Sequence, residues 1–79
     1  MEKRPVWEIY EFPKPDELRK RFMRIRIKER LALHRYPVLV GISYPTLRKF
    51  INGGELGSTV GTYSRMVNFI EQREKELEL

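Results

Sequence analysis

The chain has 79 residues, enough for one small domain whose core gives only marginal stability unless a partner adds to it. It has no cysteine, which excludes disulfides, thiolate zinc sites and thiol catalysis. The net charge of +5 is unevenly spread. Residues 1–35 hold eleven Lys/Arg against six Asp/Glu, residues 36–54 hold Arg48 and Lys49 and no acid, and residues 55–79 hold three bases against five acids. A positive field on the first two thirds of the chain suits a polyanion on one side and protein contacts on the other. No apolar run approaches the roughly 20 residues that span a bilayer, and the N-terminus shows no signal-peptide apolar region. A cytoplasmic protein with no membrane partner is expected.

In chain order, residues 1–15 contain Pro5, Pro13 and Pro15, which punctuate the aromatic and β-branched run Val6-Trp7-Glu8-Ile9-Tyr10-Glu11-Phe12. This predicts an extended arm or one short strand. Trp7, Tyr10 and Phe12 would anchor it to the helical body or to a second subunit, because a disordered tail rarely carries so many aromatics.

Pro15-Asp16-Glu17 opens a helix, with acids in the first turn complementing the dipole. Leu18, Phe22 and Ile25 form its buried stripe, widened by Met23, Ile27 and Leu31, and the helix is expected to continue to His34. The alternation Met23-Arg24-Ile25-Arg26-Ile27-Lys28 also fits a strand. As a strand it would belong to a ribbon-helix-helix dimer presenting Arg24, Arg26 and Lys28. Pro37 restricts Tyr36 to extended or turn geometry and starts a single turn, Pro37 to Val40.

The next segment is the most informative. Gly41 can take the left-handed conformation of a tight interhelical turn. Ser43 is a good N-cap, and Pro45 fits only the first turn of a helix. Leu47, Phe50 and Ile51 give one buried face, and Asn52-Gly53-Gly54 is a stop signal. The outward residues are Tyr44, Thr46, Arg48, Lys49 and Asn52. A short cationic helix behind a glycine turn is what a DNA recognition helix requires.

Residues 54–59 read as a loop in which Ser58 or Thr59 caps the next helix. There Val60, Tyr63, Met66, Val67 and Ile70 share one face, which Leu77 extends. Phe69 falls off this stripe and marks a second contact surface. Glu71 to Glu78 is highly charged and predicts an exposed helix end.

The chemistry of the inventory points away from catalysis. His34 is the only histidine and has no Cys or carboxylate cluster beside it in the sequence. Ser43, Ser58 and Ser64 lack a neighbouring base, and no glycine pair is followed by the Lys-Ser/Thr of a phosphate loop. No enzyme, cofactor, metal or small-molecule substrate is expected.

From about Leu33 to Ile70 the chain resembles the helix-turn-helix of the lambda repressor/Cro-like superfamily. Gly41 is followed by Ser43, with Leu47 and Phe50 six and nine residues after the glycine. Asn52-Gly53-Gly54 and then Tyr63-x-x-Met66-Val67 match the loop and following helix of that family without a gap. Pro37 departs from it, standing where the family usually has a small residue. The resemblance implies that Ser43 caps the helix or touches phosphate, and that Tyr44, Pro45, Arg48, Lys49 and Asn52 face the groove. A second resemblance, to excisionase/MerR-type winged helices, rests on Ser43-x-Pro45-Thr46-Leu47 and Val60-Gly61-Thr62-Tyr63. It implies a β-hairpin within residues 56–66 turning at Gly61-Thr62, and a DNA-bending role in recombination.

The expected fold is all-α: a small helix-turn-helix bundle of four or five helices over residues 16–79, with an extended N-terminal arm over residues 1–15. The expected function is sequence-specific binding of double-stranded DNA by a phage or mobile-element transcriptional regulator of the repressor/Cro type, associated with the nucleoid. A homodimer would place helix 44–52 in successive major grooves. The DNA-contacting set is Ser43, Tyr44, Pro45, Thr46, Arg48, Lys49 and Asn52, with Arg24 and Arg26 as phosphate contacts and Arg19 and Lys20 as further candidates. The dimer surface would come from Trp7, Tyr10 and Phe12, or from Phe69, Ile70 and the C-terminal helix. A helix-turn-helix shape gripping a host protein is the alternative in another class.

Overall fold

The computed structural model describes residues 4–57 and 59–79. Among the described residues five helices follow in order: α1 (Val6–Ile9), α2 (Pro15–Glu29), α3 (Tyr36–Val40), α4 (Tyr44–Ile51) and α5 (Val60–Leu77). One turn of 3-10 helix, Leu33–Arg35, leads directly into α3. The fold is all-α, with no strand among the described residues. No helix among them is long and apolar enough to cross a membrane.

The core lies between α2 and α5, with α3 and α4 closing it. Leu18, Phe22 and Ile25 of α2 meet Tyr63, Met66, Val67 and Ile70 of α5, and Leu47 and Phe50 close the α4 side. Phe69 is 9% exposed, inside the core. Its ring stands edge-on to Tyr36 at 5.9 Å, and Phe22 meets Tyr36 at 5.0 Å in the same manner. Such edge-to-face pairs add about 0.5–1.5 kcal/mol beyond area burial. Leu56, in the loop after α4, is 1% exposed and plugs the end of the bundle.

Two ion pairs fasten the far end. Arg21 grips Glu74 with two parallel hydrogen bonds, Nε to Oε2 at 2.9 Å and Nη2 to Oε1 at 2.6 Å. That hydrogen bonding raises the Arg21 pKa and lowers that of the Glu74 carboxyl. Arg73 reaches Glu29 at 3.2 Å, and Glu29 also accepts from the Tyr36 hydroxyl at 2.9 Å. Burial, with help from Glu29, pushes the Tyr36 hydroxyl up to about 12.

Several expectations are corrected. The arm is extended at Pro5 and Lys14, but Val6–Ile9 between them form a helical turn, with the Pro5 carbonyl accepting from the amides of Glu8 and Ile9. The turn lets Trp7 and Phe12 pack on the body, where Phe12 stacks on Tyr63 at 5.5 Å. The Tyr63 hydroxyl, raised by burial to about 12, donates to the Pro13 carbonyl.

Helix α2 stops at Glu29 rather than continuing to His34, because Arg30 turns left-handed at φ 57°. Six residues past Ile25, Leu31 would fall off the buried stripe of a continued helix. The reversal brings Leu31 and Leu33 against the core. Met23 and Ile27 do not widen that stripe and stand 36% and 73% exposed. Tyr36 is helical despite the proline after it, at φ −75° and ψ −32°. Its ring is fully buried, so tertiary packing overrides the local preference.

Residues 23–28 lie inside α2, so the ribbon reading fails. Residues 60–66 lie inside α5, so no hairpin turns at Gly61-Thr62 and the winged form fails. The alternation over 23–28 reads equally well as helix, and there the stripe of Leu18, Phe22 and Ile25 decided. Phe69 and Ile70 are buried within the chain, and Trp7 and Phe12 cover its own core. Ile70 is closed to a partner, whereas Tyr10, 54% exposed, and the charged end of α5 stay open to one.

Candidate nucleic-acid interface

Helix α4 begins where three local signals coincide. The α3 backbone ends on Gly41, whose φ of 88° is accessible without strain only to a residue lacking Cβ. The amides of Gly41 and Ile42 both donate back to the Pro37 carbonyl, at 2.8 and 3.1 Å, which closes α3 and reverses the chain in three residues. Ser43 then caps α4. Its Oγ accepts from the Thr46 amide at 3.4 Å and donates to Thr46 Oγ1 at 2.7 Å. Pro45 sits in the first turn, where no amide is needed.

The inner face of α4 is fixed by Leu47 and Phe50, both fully buried. Its C-terminus is fixed by α2. The Arg19 guanidinium donates to the Phe50 carbonyl at 2.7 Å and to the Gly54 carbonyl at 2.9 Å, and lies 5.1 Å above the Phe50 ring. Gly54 matters for the same reason. A Cβ there would meet Lys49 Cγ at 2.7 Å and the Lys49 carbonyl at 2.9 Å, so only glycine lets the loop cross beneath the Lys49 stem.

With one face and both ends held, and Ile51 packed partly on the core, the outward row of α4 faces solvent. Tyr44, Pro45, Arg48, Lys49 and Asn52 are all exposed. None of these side chains holds a hydrogen bond or ion pair among the described residues. Ser43 is exposed at the cap, and Thr46 is half-buried beside it. The helix carries two cations and no acid, and both cations stand in its last turn, where they complement the dipole. Chemically, this row offers a planar guanidinium fork, an amide that both donates and accepts, an ammonium and a phenol.

Comparison with family models, curated proteins and solved structures returns no match for this chain. The chemistry of the row therefore rests on its own geometry.

The other sequence-derived candidates are not brought to this row. Arg24 lies five residues past Arg19, about 140° round the helix from the side that touches α4. It is near enough to Glu74 to favour that carboxylate, which places it towards the end of α5. Arg26 is half-buried. Its Nη1 rests on Met23 Sδ at 3.8 Å, and its Nε is buried without a partner. Lys20 is exposed on the outer face of α2. Arg19 is 18% exposed and committed to α4, so it supports the row rather than joining it.

Sequence reading missed Arg65. Its Nη1 donates to the Gly41 carbonyl at 3.0 Å, tying α5 to the turn between α3 and α4. Nothing in the local pattern marks it beyond its place off the apolar stripe of α5. Ser58, one of two residues expected to cap α5, lies outside the described residues. Thr59 occupies the cap position, but its hydroxyl donates to Thr62 Oγ1 rather than capping an amide.

Proposed function

We propose that this chain binds double-stranded DNA sequence-specifically, with α4 as its recognition helix, and acts as a transcriptional regulator of the repressor/Cro kind. The observation that carries the reading is the outward row of α4: exposed, unpaired, free of acids, and held at both ends by Ser43 and Arg19. A rigid helix with an uncommitted Arg and Asn is suited to base edges. Arg can grip guanine O6 and N7 together, and Asn can do the same with adenine N6 and N7. Tyr44 and Thr46 suit a thymine methyl or a phosphate, and Ser43 a phosphate. The positive first two thirds of the chain supply the sequence-independent attraction.

Arg24 and Arg26 would touch phosphate only where the duplex extends beyond α4. A phage or mobile-element origin, and work at the nucleoid of a cytoplasm, rest on the family resemblance. A homodimer would set two α4 helices in successive major grooves, roughly 34 Å apart. The bending role needs a wing, and the described residues of 56–66 hold none.

Selection of bound duplexes from a random pool tests the reading. Enrichment of one site is expected, with Arg48→Ala weakening binding to it by about 1–3 kcal/mol and relaxing one base preference. Equal affinity of Arg48→Ala for the selected site would remove α4 as the recognition element. Absence of any enriched site together with capture of a protein partner would favour the protein-gripping alternative.

A further inference from the structure

Tyr36 and Val40 of α3 point inward and are buried, while Val38 and Leu39 between them point out. Val38 is 88% exposed and Leu39 45% exposed, on a helix of only five residues. Beside Leu39 runs a groove of about 240 Å³, lined by Leu39, Phe69, Gln72, Arg73 and Glu76. An apolar ridge and an open groove thus lie side by side where α3 crosses α5.

The charges around this ridge carry both signs. Arg35 and Tyr36 have helical dihedrals, so Arg35 stands three and four residues before Val38 and Leu39 on the same helical surface. Neither Arg35 nor His34 holds a side-chain hydrogen bond or ion pair among the described residues. Glu76, on the α5 wall of the groove, is 50% exposed at its side chain, where Oε1 accepts from Gln72 Nε2 at 3.2 Å and Oε2 lies 3.5 Å from Arg73 Nη1. The face therefore offers a knob and a hollow, and an unpaired cation and a half-exposed anion. A surface that contains its own complement is what a two-fold, isologous contact needs.

We propose that the chain forms a two-fold dimer through the outer face of α3 and the adjoining groove of α5, the occupant of the groove being Val38 and Leu39 of a second copy. An axis beside Leu39 sets the ridge of each copy into the groove of the other and brings Arg35 of each opposite Glu76 of the other. The apolar pair supplies the buried centre and the two ion pairs fix the register. The exposed row of α4 is not part of this face, so dimerisation leaves it free. The inference is independent of what α4 binds, because self-association is read with no DNA present.

Sedimentation equilibrium of the full chain tests it. Wild type is expected at twice the 9.6 kDa chain mass, with Val38→Asp monomeric and unchanged in circular dichroism. Arg35→Glu and Glu76→Arg are each expected to raise the dimer dissociation constant about tenfold, and the double reversal Arg35→Glu/Glu76→Arg to restore most of the loss. A wild-type monomer at every concentration, a Val38→Asp dimer as tight as wild type, or single reversals without rescue in the double variant would each overturn the proposal.

Discussion

Replacing Arg19 by Met separates two roles that the sequence left superimposed. As a cation on α2, Arg19 reads as a phosphate contact. In the fold it donates to the Phe50 and Gly54 carbonyls from a side chain only 18% exposed. Met keeps the stem and most of its packing on Phe50, so the substitution removes chiefly the guanidinium. Hydrogen bonds from a charged donor contribute about 1.5–3 kcal/mol each, nearer the lower end where water can reach the freed carbonyls. The contact with Asp16, which is 87% exposed, adds little. Losing both carbonyl bonds, taken at the lower end, and the cation–ring contact gives about 3–4 kcal/mol, against a whole-domain stability of about 4–12 kcal/mol for a chain this size. The midpoint of thermal unfolding should fall by on the order of 10–25 °C. Operator affinity should fall as well, because the C-terminal turn of α4 loses its support, but the slope of log K against log salt should not change. An unchanged melting temperature with a salt slope smaller by about one would mean that Arg19 neutralises a phosphate, and the structural role given to it here would be wrong.

Three further perturbations test the supports of the site. Gly54→Ala places a Cβ 2.9 Å from the Lys49 carbonyl, and should lower thermal stability and loosen the end of α4, read as faster amide exchange at Asn52 and Gly53; unchanged exchange would refute the crowding argument. Ser43→Ala removes a cap whose amide bond is long, so a loss of about 0.5–1 kcal/mol in urea denaturation is expected, and Ser43→Gly should cost less. Glu74 has its carboxyl held below the usual 4.5 by Arg21, so the pair stabilises the fold above the unfolded-chain value and loses that contribution as pH falls through the lower folded value. Wild type and Glu74→Gln should therefore differ in stability at neutral pH and converge as pH falls below 4.5, and a constant difference from neutral pH down through that value would refute the linkage.

Much of α4 was legible in sequence because its signals are local. A left-handed glycine, a serine cap, a first-turn proline and a glycine stop each act within four residues of the helix they bound. The stripe Leu18-Phe22-Ile25 was legible for the same reason, since helical periodicity alone sets it. What sequence could not show depends on residues far apart. The end of α2 at Arg30 is decided by the need to bury Leu31 and Leu33, and no stop signal precedes it. The helical Tyr36 before Pro37 follows from a ring enclosed by Phe22, Phe69 and the Glu29 carboxylate. Arg19 reads as a phosphate contact and nothing marks Arg65 until their acceptors, the carbonyls of residues 50, 54 and 41, are brought beside them. The strict alternation over 23–28 was the most misleading feature. Ile25 faces the core and Ile27 faces solvent, so the pattern carries two environments rather than one strand face.

The central claim is that the exposed row of α4 reads DNA. Its most direct test is fluorescence anisotropy of the full chain with selected and random duplexes across a salt series. The DNA-binding reading predicts a steep linear fall of log K with log salt and at least about a thousand-fold preference for the selected duplex. Absence of binding at low salt would contradict it.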